Sequence, residues 1–442
     1  MFMNEAWMPA RQMNNRDTRQ NRDAAMAAQN GSMGNRKYVM RAICWGVLFS
    51  CLLLAGCGST MTVSSGEAAF YAGEPLVSEQ AVHSPWIATK NMTRINTDDH
   101  VKAAVTISRT VWPGHIDEQR PNGVVLVPDE QWATAMAAAD LIHFPNNGPL
   151  LYIKTDRLPE ETRAELQRLK PKGAPDNKGV QVIVVGKVDG AVINEVKKLG
   201  FKMDVIAGGK PAEVAAAIDD YYARVSKERP MSVIIVSSDE PAYALPAVNW
   251  IAHMQEPVLY VNKQGIPQAT ADALAKRRKK AVMYILGSEN IIPREVTDEL
   301  AVFGRVERIA AATPVEQAIA FAQYKDKKTG FGWGITTPGH NFSFVKEGNE
   351  WLAIAQAPFA HLGKHAPLLW VQRDQVPMAV YDYVQSIRPY YEHSPVEGPY
   401  NAAWLTGAEM SVVPRIQSEL DALLEIQARS GAGHGSTHHH SS

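Results

Sequence analysis

The chain has 442 residues, 45% hydrophobic and 21% charged, the composition of a folded, globular protein and not of a disordered one. With 45 basic against 46 acidic residues and a net charge of −1, it lacks the concentrated positive charge of a nucleic-acid binder. Its three cysteines, Cys44, Cys51 and Cys57, all belong to one N-terminal segment, so the chain beyond them has no thiol for disulfides, thiolate zinc sites, cysteine nucleophiles or attached haem.

That segment, "NRKYVMRAICWGVLFSCLLLAGCGS", places Arg36, Lys37 and Arg41 before an apolar run, 42–55, that is too short to span a bilayer comfortably. Residues 1–57 therefore read as a polar, Met-rich lead followed by a signal peptide, for which Met33 would be a better-proportioned start. The end, Leu54-Ala55-Gly56-Cys57, resembles the lipobox of bacterial lipoproteins, which implies lipidation of Cys57 and removal of everything before it. An ordinary secretory signal with an incidental Cys57 is the other reading. Gly58 lacks the aspartate that holds lipoproteins of Gram-negative enterobacteria in the inner membrane, which leaves an outer-membrane or cell-surface address open. Residues 58–95 are small and polar and read as a tether that becomes an extended arm.

From residue 96 the chain repeats itself in three units, 96–208, 209–311 and 312–428, before a tail, 429–442, whose Gly, Ser and His residues have nothing to bury. Each unit opens with an amphipathic helix, as in "DDHVKAAVTISRTV", "PAEVAAAIDDYYARV" and "PVEQAIAFAQYKD". An apolar run follows in the first two, "GVVLVPDE" and "SVIIVSSDE", suited to a parallel strand covered on both faces. After an Ala-rich helix comes a sentence written three times: "GPLLYIKTDRLPEET", "EPVLYVNKQGIPQAT" and "APLLWVQRDQVPMAV". One proline precedes the strand and a second, Pro159, Pro267 or Pro377, opens the next helix, where its missing N–H costs nothing. A third strand ends in Gly186, Gly287 or Gly407. A further helix follows, and in two units the short extended pieces "KMDVIAG" and "RVERIAA" lead onward. The third unit is expected to be diverged, with a weak first strand in "GFGWGITTPGH" and two insertions, "NFSFVKEGNEW" and "RPYYEHSPVEGPYNAAW". Their aromatics, with Trp333, Phe344, Tyr390, Tyr391 and Tyr400 among this unit's, are either packing decoration or a contact surface. Strands alternating with helices predict an α/β fold with parallel, doubly wound sheets and right-handed crossovers.

The Ala-rich helix, the P-[VL]-L-[YW]-[VI] strand, the [LIV]-P-x-x-[TV] helix start and the closing Arg-Ile together resemble the cell wall-binding repeat 2 family, over residues 96 to about 428. Arg94-Ile95 and Arg308-Ile309 keep the family's junction pair and Gly208-Gly209 its glycines, while its Asp-Arg and Thr-Ala pairs are missing. The resemblance implies three tandem flavodoxin-like or Rossmann-like units packed around a pseudo-threefold axis and holding an anionic cell-wall polymer.

In open α/β sheets ligands sit beyond the carboxyl ends of the strands. The loops after the first strands carry Asp129-Glu130, Asp239-Glu240 and, in the third unit, His340; those after the second strands carry Lys154, Arg157, Lys263 and Arg373. A cation in the same loop of every unit can meet phosphates or carboxylates of a polymer, and is then expected to be exposed and unpaired within its own unit. Equally, any exposed turn tends to carry charge. A P-loop, HExxH, GxSxG and GxGxxG are all missing where a strand-turn-helix context would support them. The acidic pairs recur in separate units, whereas an active site is usually built once. The expectation is a non-catalytic protein without cofactor or metal, secreted and lipid-anchored through Cys57 at the cell membrane or outer membrane, binding an anionic cell-wall or envelope polymer. The alternative is a scaffold for another surface protein. An enzyme or solute-binding protein is the third reading, which three equal lobes disfavour.

Overall fold

The structure is a computed structural model and describes residues 84–362 and 365–431; Cys57, the rest of the N-terminal segment and the tail histidines lie outside the described residues. Strands β1 (Trp86–Ala88) and β2 (Met92–Ile95) open it as an antiparallel pair. The first unit follows with β3 (Val124–Pro128), β4 (Leu150–Ile153), β5 (Val182–Val185) and β6 (Met203–Ile206), all parallel, in the order β4-β3-β5-β6. The second unit repeats this with β7 (Ser232–Ser237), β8 (Val258–Val261), β9 (Ala281–Leu286) and β10 (Gly304–Ile309), in the order β8-β7-β9-β10. Every residue of β3, β4, β5 and β8 is buried, because helices cover both faces of these sheets.

The third unit keeps the same strand order but assembles it from unexpected places. Its first strand is β11 (Asn341–Lys346), which is the front of the supposed insertion "NFSFVKEGNEW", and "GFGWGITTPGH" contains no strand. Gly330, Gly332, Gly334 and Gly339 all take positive φ, which breaks any extended run there, whereas Phe342, Phe344 and Val345 are fully buried. Phe344 is thus core and not contact surface, and His340 precedes the first strand instead of following it. With β12 (Leu368–Val371) and β14 (Ala402–Thr406), the order is β12-β11-β14-β2-β1; a separate pair joins β13 (Tyr390–Tyr391) to β15 (Gln427–Ala428). The fourth strand of this sheet is β2, from the segment read as an arm, running parallel to β14 with Arg94 opposite Leu405.

The Arg-Ile pairs explain themselves at this closure. Arg94 is fully buried and donates to the carbonyl of Gly407 at 2.9 Å and to Gln417 Oε1 at 2.8 Å, and Arg308 donates to the carbonyls of Gly287 at 2.7 Å and Ile292 at 3.0 Å. In both cases the fourth strand's guanidinium holds the glycine that ends the third strand. Gly186, Gly287 and Gly407 all have positive φ, a conformation that L side chains rarely adopt. Asp98 adds to the closure by accepting from Ala408 N–H at 3.0 Å, and Asp421 accepts from Asn91 N–H at 2.7 Å.

The connecting helices show a cyclic arrangement. Helix His100–Val111 packs on β4 of its own unit and on Glu350–Ala355 of the third; Pro211–Ser226 packs on β8 and on Trp132–Ala138 of the first; Pro314–Gln323 packs on β12 and on Pro241–Ala244 of the second. Each unit therefore leans on the Ala-rich helix of the one before it, around a pseudo-threefold axis.

Candidate functional site

The second strands carry the cyclic contacts to the level of single atoms. Tyr152 Oη donates to the carbonyl of Trp351 at 2.7 Å, Tyr260 Oη to that of Ala133 at 2.7 Å, and Trp370 Nε1 to that of Ala242 at 3.1 Å. The first unit bonds the third, the second bonds the first and the third bonds the second, always to an Ala-rich helix. The [YW] of the repeated sentence is thus a donor that crosses between units, and burial pushes both tyrosine hydroxyls well above their ordinary pKa. The Thr of the helix start serves the same strand: Thr162 and Thr270 donate at 2.6 Å to the carbonyls of Tyr152 and Tyr260, and Val380 replaces them in the third unit.

Beyond each second strand the chain makes one turn closed by the same backbone hydrogen bond: Lys154 N–H to Arg157 O at 3.0 Å, Asn262 N–H to Gly265 O at 3.2 Å, with Gly265 N–H returning to Asn262 O at 3.2 Å, and Gln372 N–H to Gln375 O at 3.0 Å. This register corrects the expected equivalence of the cations. Lys263 and Arg373 share one position, which Thr155 fills in the first unit; Lys154 stands one residue earlier, beside Asn262 and Gln372.

The expectation of unpaired charges fails for three of the four. Lys154 lies 2.5 Å from Asp129, whose carboxylate also meets His100 Nε2, and Lys263 lies 3.2 Å from Glu240. Burial alone would raise the Asp129 pKa, but the Lys154 and His100 hydrogen bonds hold it below its ordinary value. The acidic loops after the first strands are therefore partners of the second-strand cations. Arg157 is exposed and lies 3.4 Å from its neighbour Asp156; Arg373 is exposed and donates to the carbonyl of Met410 at 3.3 Å. Among the described residues, no hydrogen bond or ion pair joins these cations between units. Of the aromatics, Trp333 and Tyr391 are half-buried, and Tyr390 and Tyr400 are exposed beside Val396, which is 81% exposed.

Sequence reasoning passed over three histidines. His143, His253 and His361 each follow the Ala-rich stretch of their unit, in "LIH", "IAH" and "FAH". The cyclic packing brings them together, with one ring nitrogen of each within 4.8 Å of those of the other two. One histidine per unit carries no local spacing signature, and only superposing the repeats reveals the set.

No family model matches the chain. Over 208 residues it is 26% identical to N-acetylmuramoyl-L-alanine amidase LytC of Bacillus subtilis (strain 168), a match that takes in 46% of this chain and 38% of the amidase. Its fold is similar to Cwp6 from Clostridium difficile, with a TM-score of 0.60 and 20% identity over 75% of this chain and 48% of that one. Cwp8 from Clostridium difficile is similar with a TM-score of 0.57 and 16% identity over 76% of this chain and 52% of that one. The chain spans well under two thirds of each of these proteins. The two structures bear on the fold alone.

Proposed function

We propose that this is a non-catalytic envelope protein of the cell wall-binding repeat 2 type, whose three units bind an anionic cell-wall polymer at the cell surface and whose lipid anchor is Cys57. The observation that carries the reading is the likeness of nearly half the chain to an amidase of N-acetylmuramoyl-L-alanine, a unit of the wall itself. The match reaches only 38% of the amidase, which suits a wall-holding segment shared between proteins of different activity. The fold that this chain shares with Cwp6 and Cwp8 supports the α/β architecture alone, and the lipobox-like Leu54-Ala55-Gly56-Cys57 supports an address outside the cytoplasm. Exposed Arg157, Lys263 and Arg373 are the candidate contacts to polymer anions. The test is co-sedimentation with purified peptidoglycan sacculi, with and without their anionic polymers. Retention that depends on the anionic polymer is expected, and retention no greater than that of a repeat-free control overturns the reading.

A second reading is favoured by the exposed ridge of Tyr390, Val396 and Tyr400, where the third unit would dock another surface protein. Cross-linking in intact cells separates the two: a protein adduct through this ridge supports the scaffold, and recovery of polymer alone removes it.

A further inference from the structure

The three histidines meet where the three units meet. His143 Nδ1 lies 3.1 Å from His361 Nδ1, with ring centroids 4.7 Å apart and nearly perpendicular. His361 Nε2 lies 2.8 Å from Asn147 Oδ1, which can only accept, so Nε2 carries the His361 proton and its Nδ1 presents a lone pair to the centre. His253 completes the group with a buried Nδ1 that has no hydrogen-bond partner among the described residues. A buried imidazole nitrogen left unpaired is costly and calls for an explanation. His365 lies 4.3 Å from His253 by ring centroids, Trp333 stacks on the same His253 ring at 6.0 Å, and Trp112 approaches His361 at 6.2 Å.

We propose that His143, His253 and His361 form a binding site for a divalent transition-metal ion on the pseudo-threefold axis, with one imidazole from each unit and the fourth position open to water. Ligand nitrogens of a tetrahedral zinc ion, at Zn–N of about 2.0–2.1 Å, stand about 3.3 Å apart. The His143–His361 pair is already at that separation, and His253 has to close in from within 4.8 Å. On binding, His143 moves its proton from Nδ1 to Nε2 and no net proton is released. Asn147 then acts as the outer partner that fixes the His361 ring. Burial, with the neighbouring histidines second, lowers His361 to about 3 and His253 to about 4, and burial lowers His143 as well, so all three are neutral ligands at neutral pH. An all-imidazole set suits zinc, copper or nickel and not calcium or magnesium. His143 keeps surface exposure, although the packing round its ring desolvates it enough to lower its pKa, so the entry path is on its side. Such an ion would pin three units with one centre, independently of what the rim binds.

The test uses the full chain carrying His434→Ala, His438→Ala, His439→Ala and His440→Ala together with Cys44→Ser, Cys51→Ser and Cys57→Ser, so that neither tail imidazoles nor thiolates compete. After chelator treatment it is titrated with Co²⁺, read by visible absorption, and then with Zn²⁺. One equivalent of Co²⁺ is expected, displaced by Zn²⁺, with a melting temperature that rises with Zn²⁺ concentration. His253→Gln and His361→Gln should each weaken binding at least 100-fold. Should either fail to fold without metal, the exposed His143→Gln keeps the test alive and should weaken binding at least 10-fold. Absence of a one-equivalent site in the parent, or binding unchanged by His143→Gln and His253→Gln, overturns the proposal.

Discussion

At the axis, the second strand of every unit ends its apolar run with the same act, a ring donor reaching the neighbouring unit's helix from Tyr152, Tyr260 or Trp370. One turn further along the same chain, at the rim, a single register position is filled by Thr155, Lys263 and Arg373. The difference follows from solvation. A buried donor must find an acceptor, and threefold packing offers the same acceptor three times, so the position is confined to residues that can reach it. A solvated turn meets no such demand, so its three copies are free to differ and to carry specificity.

The largest way to sharpen this contrast is to open the ring. Deleting residues 84–95 removes β1 and β2, exposes the edge of β14, and leaves Gln417 and Asp421 without Arg94 and Asn91. The third unit should lose hydrogen-exchange protection across Ala402–Thr406 while the first two sheets, which take no strand from this segment, keep theirs. Uniform protection loss across all three sheets would mean that the units cannot fold apart, and protection unchanged at β14 would mean that β2 does not close the ring.

Single axis positions come next. Tyr260→Phe removes one donor and with it the buried hydrogen bond to the Ala133 carbonyl, which should cost about 0.5–1.5 kcal/mol in denaturant unfolding. Lys154→Gln should cost about 1–3 kcal/mol, because the buried Asp129 carboxylate would lose its ammonium partner and keep only the hydrogen bond to His100. It therefore behaves as structure although it stands in a rim loop. If Lys154→Gln proves neutral while Lys263→Gln destabilises, the assignment of roles is inverted.

A separate effect distinguishes axis from rim by pH. Unfolded histidines titrate near about 6.5, whereas burial holds His253 at about 4 and His361 at about 3. Between those values the unfolded chain binds protons that the folded chain refuses, so metal-free stability should fall as pH drops from about 6.5 towards about 4. The groups facing these rings are His143, itself lowered by burial, His365 and the uncharged Asn147. His253→Gln should flatten that slope, and an unchanged slope would place the pH sensitivity elsewhere.

Much of the architecture was legible in the sequence because the prolines and glycines of each unit act locally. Pro159, Pro267 and Pro377 each stand immediately before the helix they announce, and Gly186, Gly287 and Gly407 end the third strands as expected. Three features escaped because their causes are not local. β11 follows a Gly-rich loop, and its alternating Phe342 and Phe344 read as an aromatic insertion until the sheet showed them buried. β2 gains its strand character by pairing with β1 on one side and, on the other, with β14 near the other end of the chain. The register of the rim cations depends on the backbone hydrogen bonds that close each turn, which side-chain identity did not reveal.

The division between axis and rim is tested most directly by the triple variant Arg157→Gln, Lys263→Gln, Arg373→Gln, with Lys154 left in place. These three charges are exposed, so stability should change by only about 0–1 kcal/mol per position. Retention on an anionic wall polymer should fall, and its dependence on salt should flatten, because fewer screened charges take part. Unchanged retention with an unchanged salt slope, or unfolding at a much lower temperature, would contradict the assignment of binding to the rim.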